Sequence, residues 1–225
     1  MPSARLVSIQ VGKPKTLAVE DPADPTEQTW TTGSFKEPVV GPIWLGRTNL
    51  AGDGQADLKN HGGPDKAVCV YSADHLPRWA AELERPQAPP GSFSENFTLA
   101  GITEEDVCIG DVFAVGEARV QVSQPRQPCW KLARRWGVED MIALVVDSGR
   151  TGWYFRVLLE GHVAPGQELL LVDRPLPAWT VARANDVMYR RHDDPQAAEL
   201  AYSPFLSLSW RRGLQRRLHS RANRS

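Results

Sequence analysis

Short runs in which apolar and polar residues alternate make up most of the chain. Residues 5–12 (RLVSIQVG) place Val7, Ile9 and Val11 on one face, which is the period of a β-strand. Apolar runs of similar length predict further strands at residues 37–46, 66–72, 97–99, two within 107–126 that turn near Gly116, and at 152–163 and 166–175. The pattern therefore predicts a core that is mainly β.

Helical spacing interrupts this pattern in the middle of the chain. Residues 72–84 carry apolar side chains at helical spacing after Ser72, a residue type that caps helices. Residues 129–137 (CWKLARRWG) follow a predicted strand directly, and Gly137 suits the end of a helix. A further short helix is predicted at residues 138–149.

The pattern changes completely after residues 175–177. Three helical segments follow, and the latter two begin near Asp194-Pro195 and Ser203-Pro204, which are cap and first-turn signals. We predict an α+β protein, mainly β, with a β-rich domain at residues 1–175 and a small three-helix domain at residues 176–225.

Composition fits an ordinary globular protein, because 41% of the 225 residues are hydrophobic and 24% are charged. The net charge of -1 hides an acidic segment at residues 20–27 and six arginines at residues 211–224. We interpret both as solvated faces, and no motif for reading nucleic acid accompanies the arginines. Nucleic-acid binding is therefore not expected.

The N-terminal residues lack the apolar core of a signal peptide, and no run of about 20 apolar residues occurs. We expect a cytoplasmic protein with no membrane segment. Cys69, Cys108 and Cys129 are too few and too widely separated for a disulfide framework or an iron–sulfur cluster. Cys69, in the middle of a predicted strand, and Cys108 are expected to be structural.

Cys129 differs from the other two cysteines in its surroundings. It lies in residues 123–132 (SQPRQPCWKL), at the end of a strand and the start of a helix, with Arg126 and Lys131 close in sequence. Cations and helical N–H groups favour the thiolate, which suits a soft-metal ligand or a nucleophile. A buried structural cysteine remains an alternative. A hydrolase that pairs Cys129 with His61 or His162 is a weaker one, because no third partner is evident.

A glycine-rich segment at residues 58–68 (LKNHGGPDKAV) predicts an anion site. Adjacent glycines expose backbone N–H groups, and Lys59 and Lys66 add positive charge. The spacing is not that of a P-loop or a dinucleotide-binding motif. In this setting, we expect His61 to face a ligand.

Two further segments leave alternatives open. Glu95 and Asn96 precede an apolar strand and suit either a turn or a binding site. Arg156 alternates with aromatic residues in residues 152–157 (GWYFRV), so it is either an anion clamp that points inward or a solvated strand residue.

Together, these segments resemble the MOSC-domain family. The resemblance is carried by residues 59–71 (KNHGGPDKAVCVY), 91–99 (GSFSENFTL), 109–137 and the three-helix tail, so it spans essentially the whole chain. It is greatest for the YiiM-like branch, the bacterial N-hydroxylaminopurine reductases. The mitochondrial amidoxime reducers are similar only in the MOSC core.

The resemblance implies a MOSC-type β-barrel core with peripheral helices that binds the molybdenum cofactor. It also implies that Cys129 is the one protein ligand of the metal and the catalytic cysteine. The residues that would line the cofactor pocket are Lys59, Asn60, His61, Asp65, Lys66, Asn96, Gln124 and Arg126. The activity implied is reduction of N-hydroxylaminopurine and related hydroxylamines to the amines.

The chain has too few cysteines for a cluster and no flavin or nicotinamide motif, so electrons must come from outside. We expect an external electron-donating flavoprotein or ferredoxin-type reductase, and the helix from Arg211 onward is a candidate docking surface. The alternative function is a non-catalytic molybdenum-cofactor carrier or sulfur-handling module.

Overall fold

The computed structural model describes residues 4–18, 29–191 and 194–222. The acidic segment at residues 20–27, which we interpreted as a solvated face, lies outside these ranges. Within them, no helix is both long enough and apolar enough to cross a membrane.

The described residues form short strands and helices in alternating groups. The strands are β1 (Ala4–Val11), β2 (Lys15–Ala18), β3 (Thr29–Thr32), β4 (Glu37–Pro38), β5 (Ile43–Leu45), β6 (Val68–Ser72), β7 (Phe97–Ala100), β8 (Val112–Val115), β9 (Ala118–Pro125), β10 (Trp153–Leu159), β11 (Gly161–Val163) and β12 (Glu168–Asp173). The helices are α1 (Leu58–His61), α2 (Leu76–Glu82), α3 (Trp130–Trp136), α4 (Met141–Ser148), α5 (Val181–Tyr189), α6 (Ala197–Tyr202) and α7 (Leu208–Ala222), with short 3₁₀ helices at Pro64–Lys66 and Ala73–His75.

Seven of the strands close a barrel in the order β12-β8-β9-β10-β6-β7-β1. Closure comes from β1 pairing with β12, where Ala4 lies opposite Leu169. The β6–β7 pair is parallel, and the other neighbouring strands of the barrel are antiparallel. The β-barrel core with peripheral helices is therefore confirmed.

Strand β1 departs from simple alternation. Its register against β7 shifts between Leu6 and Ser8, so Leu6 and Ile9 are fully buried while Val7 is 43% exposed. An irregularity of this kind inserts an extra residue and moves the following side chains to the other face. The expectation that Val7 and Ile9 share one face is therefore wrong.

Local signals place most helix ends correctly. Gly137 ends α3 with φ 62°, a left-handed conformation that glycine adopts without strain. The last helix is an exception, because α7 begins at Leu208 and not near Pro204. Ser207 Oγ accepts a hydrogen bond from the Trp210 N–H (3.3 Å) and caps the helix there.

Two apolar clusters support the fold. The larger fills the barrel around Phe97 and Phe155 and continues into the C-terminal helices through Trp179 and Trp210. The division of the chain into a β-rich domain (residues 1–175) and a three-helix domain (residues 176–225) stays a prediction. The smaller cluster lies beneath α2, α3 and α4, where the rings of Tyr71 and Phe93 stack with centroids 4.0 Å apart. This second cluster supports the segments that surround Cys129.

Candidate functional site

A cleft with two connected chambers opens where the end of β9, the start of α3 and the loop around α1 meet. The inner chamber spans about 620 Å³ of empty space and the outer chamber about 870 Å³, and both volumes include space that is open to solvent. Cys129, His61, Lys66 and Tyr154 are among the residues that line both. A ligand that fills the cleft would therefore pass beside Cys129.

Cys129 lies between β9 and α3, as the sequence predicts. It is the N-terminal cap residue of α3 in extended conformation, and its carbonyl oxygen accepts a hydrogen bond from the Leu132 N–H (2.9 Å). Its side chain is partly exposed, whereas Cys69 and Cys108 are buried. Cys129 is thus the cysteine available to a ligand that occupies both chambers.

Arg126 brings a buried positive charge to the inner chamber. The residue is 7% exposed, and no carboxylate among the described residues lies within salt-bridge distance of its guanidinium. Its backbone N–H donates to the Gly152 carbonyl (3.0 Å), which fixes the segment that leads to Cys129. The buried carboxylate of Glu95 favours this charge from beyond ion-pair distance, and an anionic ligand would supply a direct partner.

The other basic residues make the inner chamber electropositive. Lys66, Arg126 and Lys131 line it against one carboxylate, that of Asp57. Lys36 also lines it, but its ammonium is paired with the buried carboxylate of Asp53. Burial lowers the pKa of His61, and the positive charges of Arg126 and Lys66 lower it further, so the ring is neutral at pH 7. Burial also lowers the pKa of Lys66, whose Nζ donates to the Asn60 carbonyl (2.5 Å). These groups could hold an anion.

Asn96 lines the inner chamber, but the barrel already uses its amide. Its Oδ1 accepts a hydrogen bond from the Cys69 N–H (3.1 Å), and its Nδ2 donates to Asp53 Oδ2 (2.9 Å). The adjacent Glu95 is fully buried and accepts bonds from the Gly91 N–H (2.6 Å) and the Phe93 N–H (2.9 Å). The pair therefore fixes the turn before β7 and shapes the chamber wall.

Three of the remaining predicted site residues line the outer chamber. They are Lys59, Asn60 and Gln124. Asn60 Nδ2 donates to Asp57 Oδ2 (2.7 Å), which stabilises the single turn of α1. Gln124 is buried, and its Oε1 accepts a hydrogen bond from Ser209 Oγ of α7 (3.2 Å).

Asp65 lies outside the lining of both chambers, and its role in the cofactor pocket stays a prediction. Its Oδ1 forms an ion pair with Arg156 Nη2 (2.9 Å), and its Oδ2 accepts from the Leu208 N–H (3.1 Å). Arg156, for which we left an anion clamp and a solvated residue open, thus pairs with a carboxylate of the protein itself. His162 also lies elsewhere, paired with Glu117 (3.0 Å), so a Cys129–His162 dyad is absent from the described residues.

Several residues of the cleft carry no strong signal in the sequence. Cys69 and Tyr154 line the inner chamber from neighbouring strands β6 and β10, and the register that pairs them is not visible in either segment alone. Burial raises the pKa of both side chains, so both keep their protons at neutral pH. Ser94 adopts φ 62°, and its buried Oγ has no hydrogen-bond partner among the described residues.

Comparison with known proteins gives a consistent result. The MOSC domain model matches residues 57–170, and the model of the YiiM-like 3-alpha helix domain matches residues 179–221. YflK of Bacillus subtilis (strain 168) is 49% identical over 92% of this chain and 90% of its own length. A protein named reductase from Gibberella moniliformis (strain M3125 / FGSC 7600) is 35% identical over 72% of this chain and 29% of its own length. The crystal structure of YiiM from Geobacillus stearothermophilus superimposes with a TM-score of 0.80 at 40% identity, over 96% of this chain and 99% of that one.

Proposed function

Because the chain belongs to the MOSC-domain family, in the YiiM-like branch with a C-terminal three-helix domain, we propose that it binds a molybdenum cofactor and reduces N-hydroxylated compounds to amines. The observation that carries this proposal is the position of Cys129. The thiol lies where the two chambers meet, beside a buried cation that has no carboxylate partner among the described residues.

The residues of the inner chamber fit the cofactor. Its phosphate requires cations and N–H or O–H donors, and Arg126, Lys66 and the Ser94 hydroxyl line the chamber. No group of three or more His, Cys, Asp or Glu side chains within the described ranges could hold a metal ion. A metal at Cys129 would therefore bring most of its ligands with it, as a dithiolene-bound molybdenum does, and the thiolate would add one soft ligand.

When bound, the cofactor supplies a two-electron reduction of the N–O bond. The substrate R–NHOH takes up two electrons and two protons and leaves as R–NH₂ and water. His61 lines both chambers and is neutral at pH 7 because of its lowered pKa, so a ring nitrogen is free to accept a proton and pass it on. Tyr154 keeps its proton because its pKa is raised by burial, and its hydroxyl serves as a hydrogen-bond donor.

The electrons come from an external flavoprotein or ferredoxin-type reductase in this proposal, and the reaction takes place in the cytoplasm. The relative from Gibberella moniliformis, which is named a reductase, supports redox chemistry in general. Within the part of the chain that is described, the exposed arginines of α7 form a basic surface suited to an acidic donor.

The test is to purify the protein from a host that makes the cofactor, then measure molybdenum by elemental analysis and pterin by fluorescence. Reduction of N-hydroxylaminopurine is assayed with an artificial electron donor. We expect the wild type to contain both components and to be active. Cys129→Ser should keep the pterin and lose activity, whereas Cys108→Ser, at a buried cysteine outside the cleft, should behave like the wild type.

Three outcomes would contradict parts of the proposal. If the wild type contains neither molybdenum nor pterin, the central claim fails. If Cys129→Ser retains full activity, the thiol is not the metal ligand. If the wild type contains molybdenum and pterin and reduces no N-hydroxylated compound, the protein is a cofactor carrier or sulfur-handling module.

A further inference from the structure

The Arg126 side chain lines the inner chamber without a partner of its own. It forms no hydrogen bond or ion pair with the residues that the structure describes. The position of its guanidinium therefore depends on the backbone that carries it. That backbone is fixed by a long-range hydrogen bond from the Arg126 N–H to the Gly152 carbonyl (3.0 Å). A displacement of Gly152 would consequently displace Arg126.

Gly152 is held on both sides and has little room to move. Its φ of 73° suits glycine, and a Cβ atom at this position would lie 2.2 Å from the Val70 carbonyl oxygen of β6. Its carbonyl accepts hydrogen bonds from the Arg126 N–H and from Thr151 Oγ1 (2.9 Å). Its N–H donates to Glu104 Oε1 at 2.6 Å. Glu104 is therefore linked to Arg126 through the backbone of one glycine.

Glu104 is a buried carboxylate outside the cleft. The residue is 3% exposed and lines neither chamber. Its Oε2 lies 2.6 Å from His75 Nε2, and its backbone carbonyl accepts a hydrogen bond from the Ala182 N–H of α5 (2.9 Å). These contacts fix the orientation of the carboxylate. Because a buried backbone N–H without an acceptor is costly, Gly152 follows the position of the Glu104 oxygen.

We propose that Glu104 is a positioning residue, which acts through Gly152 to place the Arg126 guanidinium for an anion in the inner chamber. This inference rests on the proposed function, which makes that anion the phosphate of the cofactor. Glu104 acts by the position of its oxygen and not by its charge, because the link to Arg126 consists of backbone hydrogen bonds. A residue outside the cleft thus sets the affinity of the cleft for its ligand.

Two substitutions separate the position of the oxygen from the charge. Glu104→Gln keeps an acceptor at the same distance and removes the charge, whereas Glu104→Asp keeps the charge and withdraws the oxygen by the length of one methylene group. The probe is inorganic phosphate, titrated calorimetrically into the full chain from a host that does not make the cofactor. We expect Glu104→Gln to bind phosphate within about twofold of the wild type and Glu104→Asp to bind it about tenfold more weakly or worse, as for a lost charged hydrogen bond.

Asp111→Asn is the matched control. Asp111 is also a buried carboxylate that accepts a backbone hydrogen bond, from the Cys108 N–H (2.8 Å), and it lies outside both chambers. A loss of stability alone does not change affinity while nearly all of the protein is folded, so this variant should bind phosphate like the wild type. In the Arg126→Gln background, Glu104→Asp should weaken binding no further, because its effect passes through Arg126.

Three results would overturn the inference. The first is equal phosphate affinity of Glu104→Asp and the wild type, including a wild type that does not bind phosphate. The second is equal weakening in Glu104→Gln and Glu104→Asp, which would assign the effect to charge. The third is further weakening of Arg126→Gln by Glu104→Asp, which would exclude an effect through Arg126. If Glu104→Asp does not fold, Glu104→Gln decides alone, because it keeps the acceptor and weakened binding would contradict the positioning role.

Pterin content separates this inference from the proposed function. In protein purified from a host that makes the cofactor, the wild type and Glu104→Gln should retain more pterin than Glu104→Asp. If the wild type contains no pterin while the phosphate affinities follow the expected order, the proposed function fails and the positioning role stands. If all three proteins retain pterin equally and bind phosphate equally, the positioning role is wrong and the proposed function stands.

Discussion

Asp65 and Arg156 form an ion pair in which Oδ1 and Nη2 are 2.9 Å apart, joining the loop after α1 to strand β10. The other carboxylate oxygen of Asp65 accepts a hydrogen bond from the Leu208 N–H (3.1 Å) at the start of α7. The Asp65 side chain thus connects the barrel, the 3₁₀ helix that follows α1 and the C-terminal helix.

Replacing Asp65 by asparagine should destabilise the protein. The substitution keeps the size of the side chain but removes the charge that Arg156 requires, so we expect the free energy of unfolding to fall by about 1–3 kcal/mol. Urea unfolding followed by circular dichroism measures this change. Asp147→Asn, at an exposed position of α4, is the control and should stay within about 0.5 kcal/mol of the wild type. Equal stability of Asp65→Asn and the control would contradict a connecting role.

Replacing Arg126 by glutamine should weaken cofactor binding without lowering the stability of the apoprotein. Because the guanidinium is buried without a carboxylate partner among the described residues, its removal should leave the apoprotein as stable as the wild type or more stable. The pterin content of purified protein should nevertheless fall at least about tenfold, since a charged hydrogen bond to a ligand is worth about 1.5–3 kcal/mol. Arg119→Gln, on the exposed side of the same strand, should change neither quantity. A large loss of stability in Arg126→Gln would show that the arginine is structural.

Ser94→Gly tests whether backbone strain at the inner chamber serves ligand binding. Ser94 has φ 62° and a buried hydroxyl without a partner among the described residues, so glycine should raise the free energy of unfolding by about 0.5–1 kcal/mol. Cofactor retention should fall because the hydroxyl is lost. Glu84→Gly, at an exposed residue with φ 50°, should stabilise the protein equally without affecting retention. Equal retention in both variants would exclude a ligand contact at Ser94.

His61 should make stability depend on pH. Its pKa in the folded protein is lowered from 6.5, first by burial and then by the positive charges of Arg126 and Lys66. The unfolded chain therefore binds this proton more readily. The contribution to stability is complete above pH 6.5 and is lost as the pH falls through the folded-state pKa. The loss amounts to about 1.4 kcal/mol for each pH unit that separates the pKa of the unfolded chain from that of the folded protein.

The measurement compares the free energy of unfolding of wild type and His61→Gln at about pH 7.5 and about pH 5. We expect a smaller loss on acidification in the variant. His219→Gln, at an exposed position of α7, should lose as much stability as the wild type. An unchanged loss in His61→Gln would show that this histidine titrates normally.

Features that depend on adjacent residues could be predicted from the sequence. The strand that ends before Cys129, the helix that follows it and the cap at Gly137 all lie within one short segment, so pattern and turn chemistry were sufficient. The glycine-rich segment likewise indicated an anion site, and His61 and Lys66 do line the cleft. The barrel itself followed from the resemblance, because alternation alone does not specify which strands pair.

Features that depend on register or long-range contact could not be predicted. Cys69 lies in the middle of a strand and was expected to be structural, yet β6 places it in the wall of the inner chamber opposite residue Tyr154 of β10. The contacts of Asp65 with Arg156 and Leu208 were also not visible, because both partners lie far along the chain. The register shift between Leu6 and Ser8 depends on the pairing of β1 with β7. It places Val7 and Ile9 on opposite faces, whereas simple alternation predicts that they share one.

The pairing of β1 with β12 has a consequence for how the protein is made. The first strand leaves the ribosome early, but its closing partner, which ends at Asp173, is synthesised only when most of the chain is already out. Until then the nascent sheet has two open edges, and such edges readily pair with other chains. Fragments that end before Glu168 should therefore aggregate rather than accumulate as half-barrels, and slow translation through β12 should prolong the period in which a chaperone is needed.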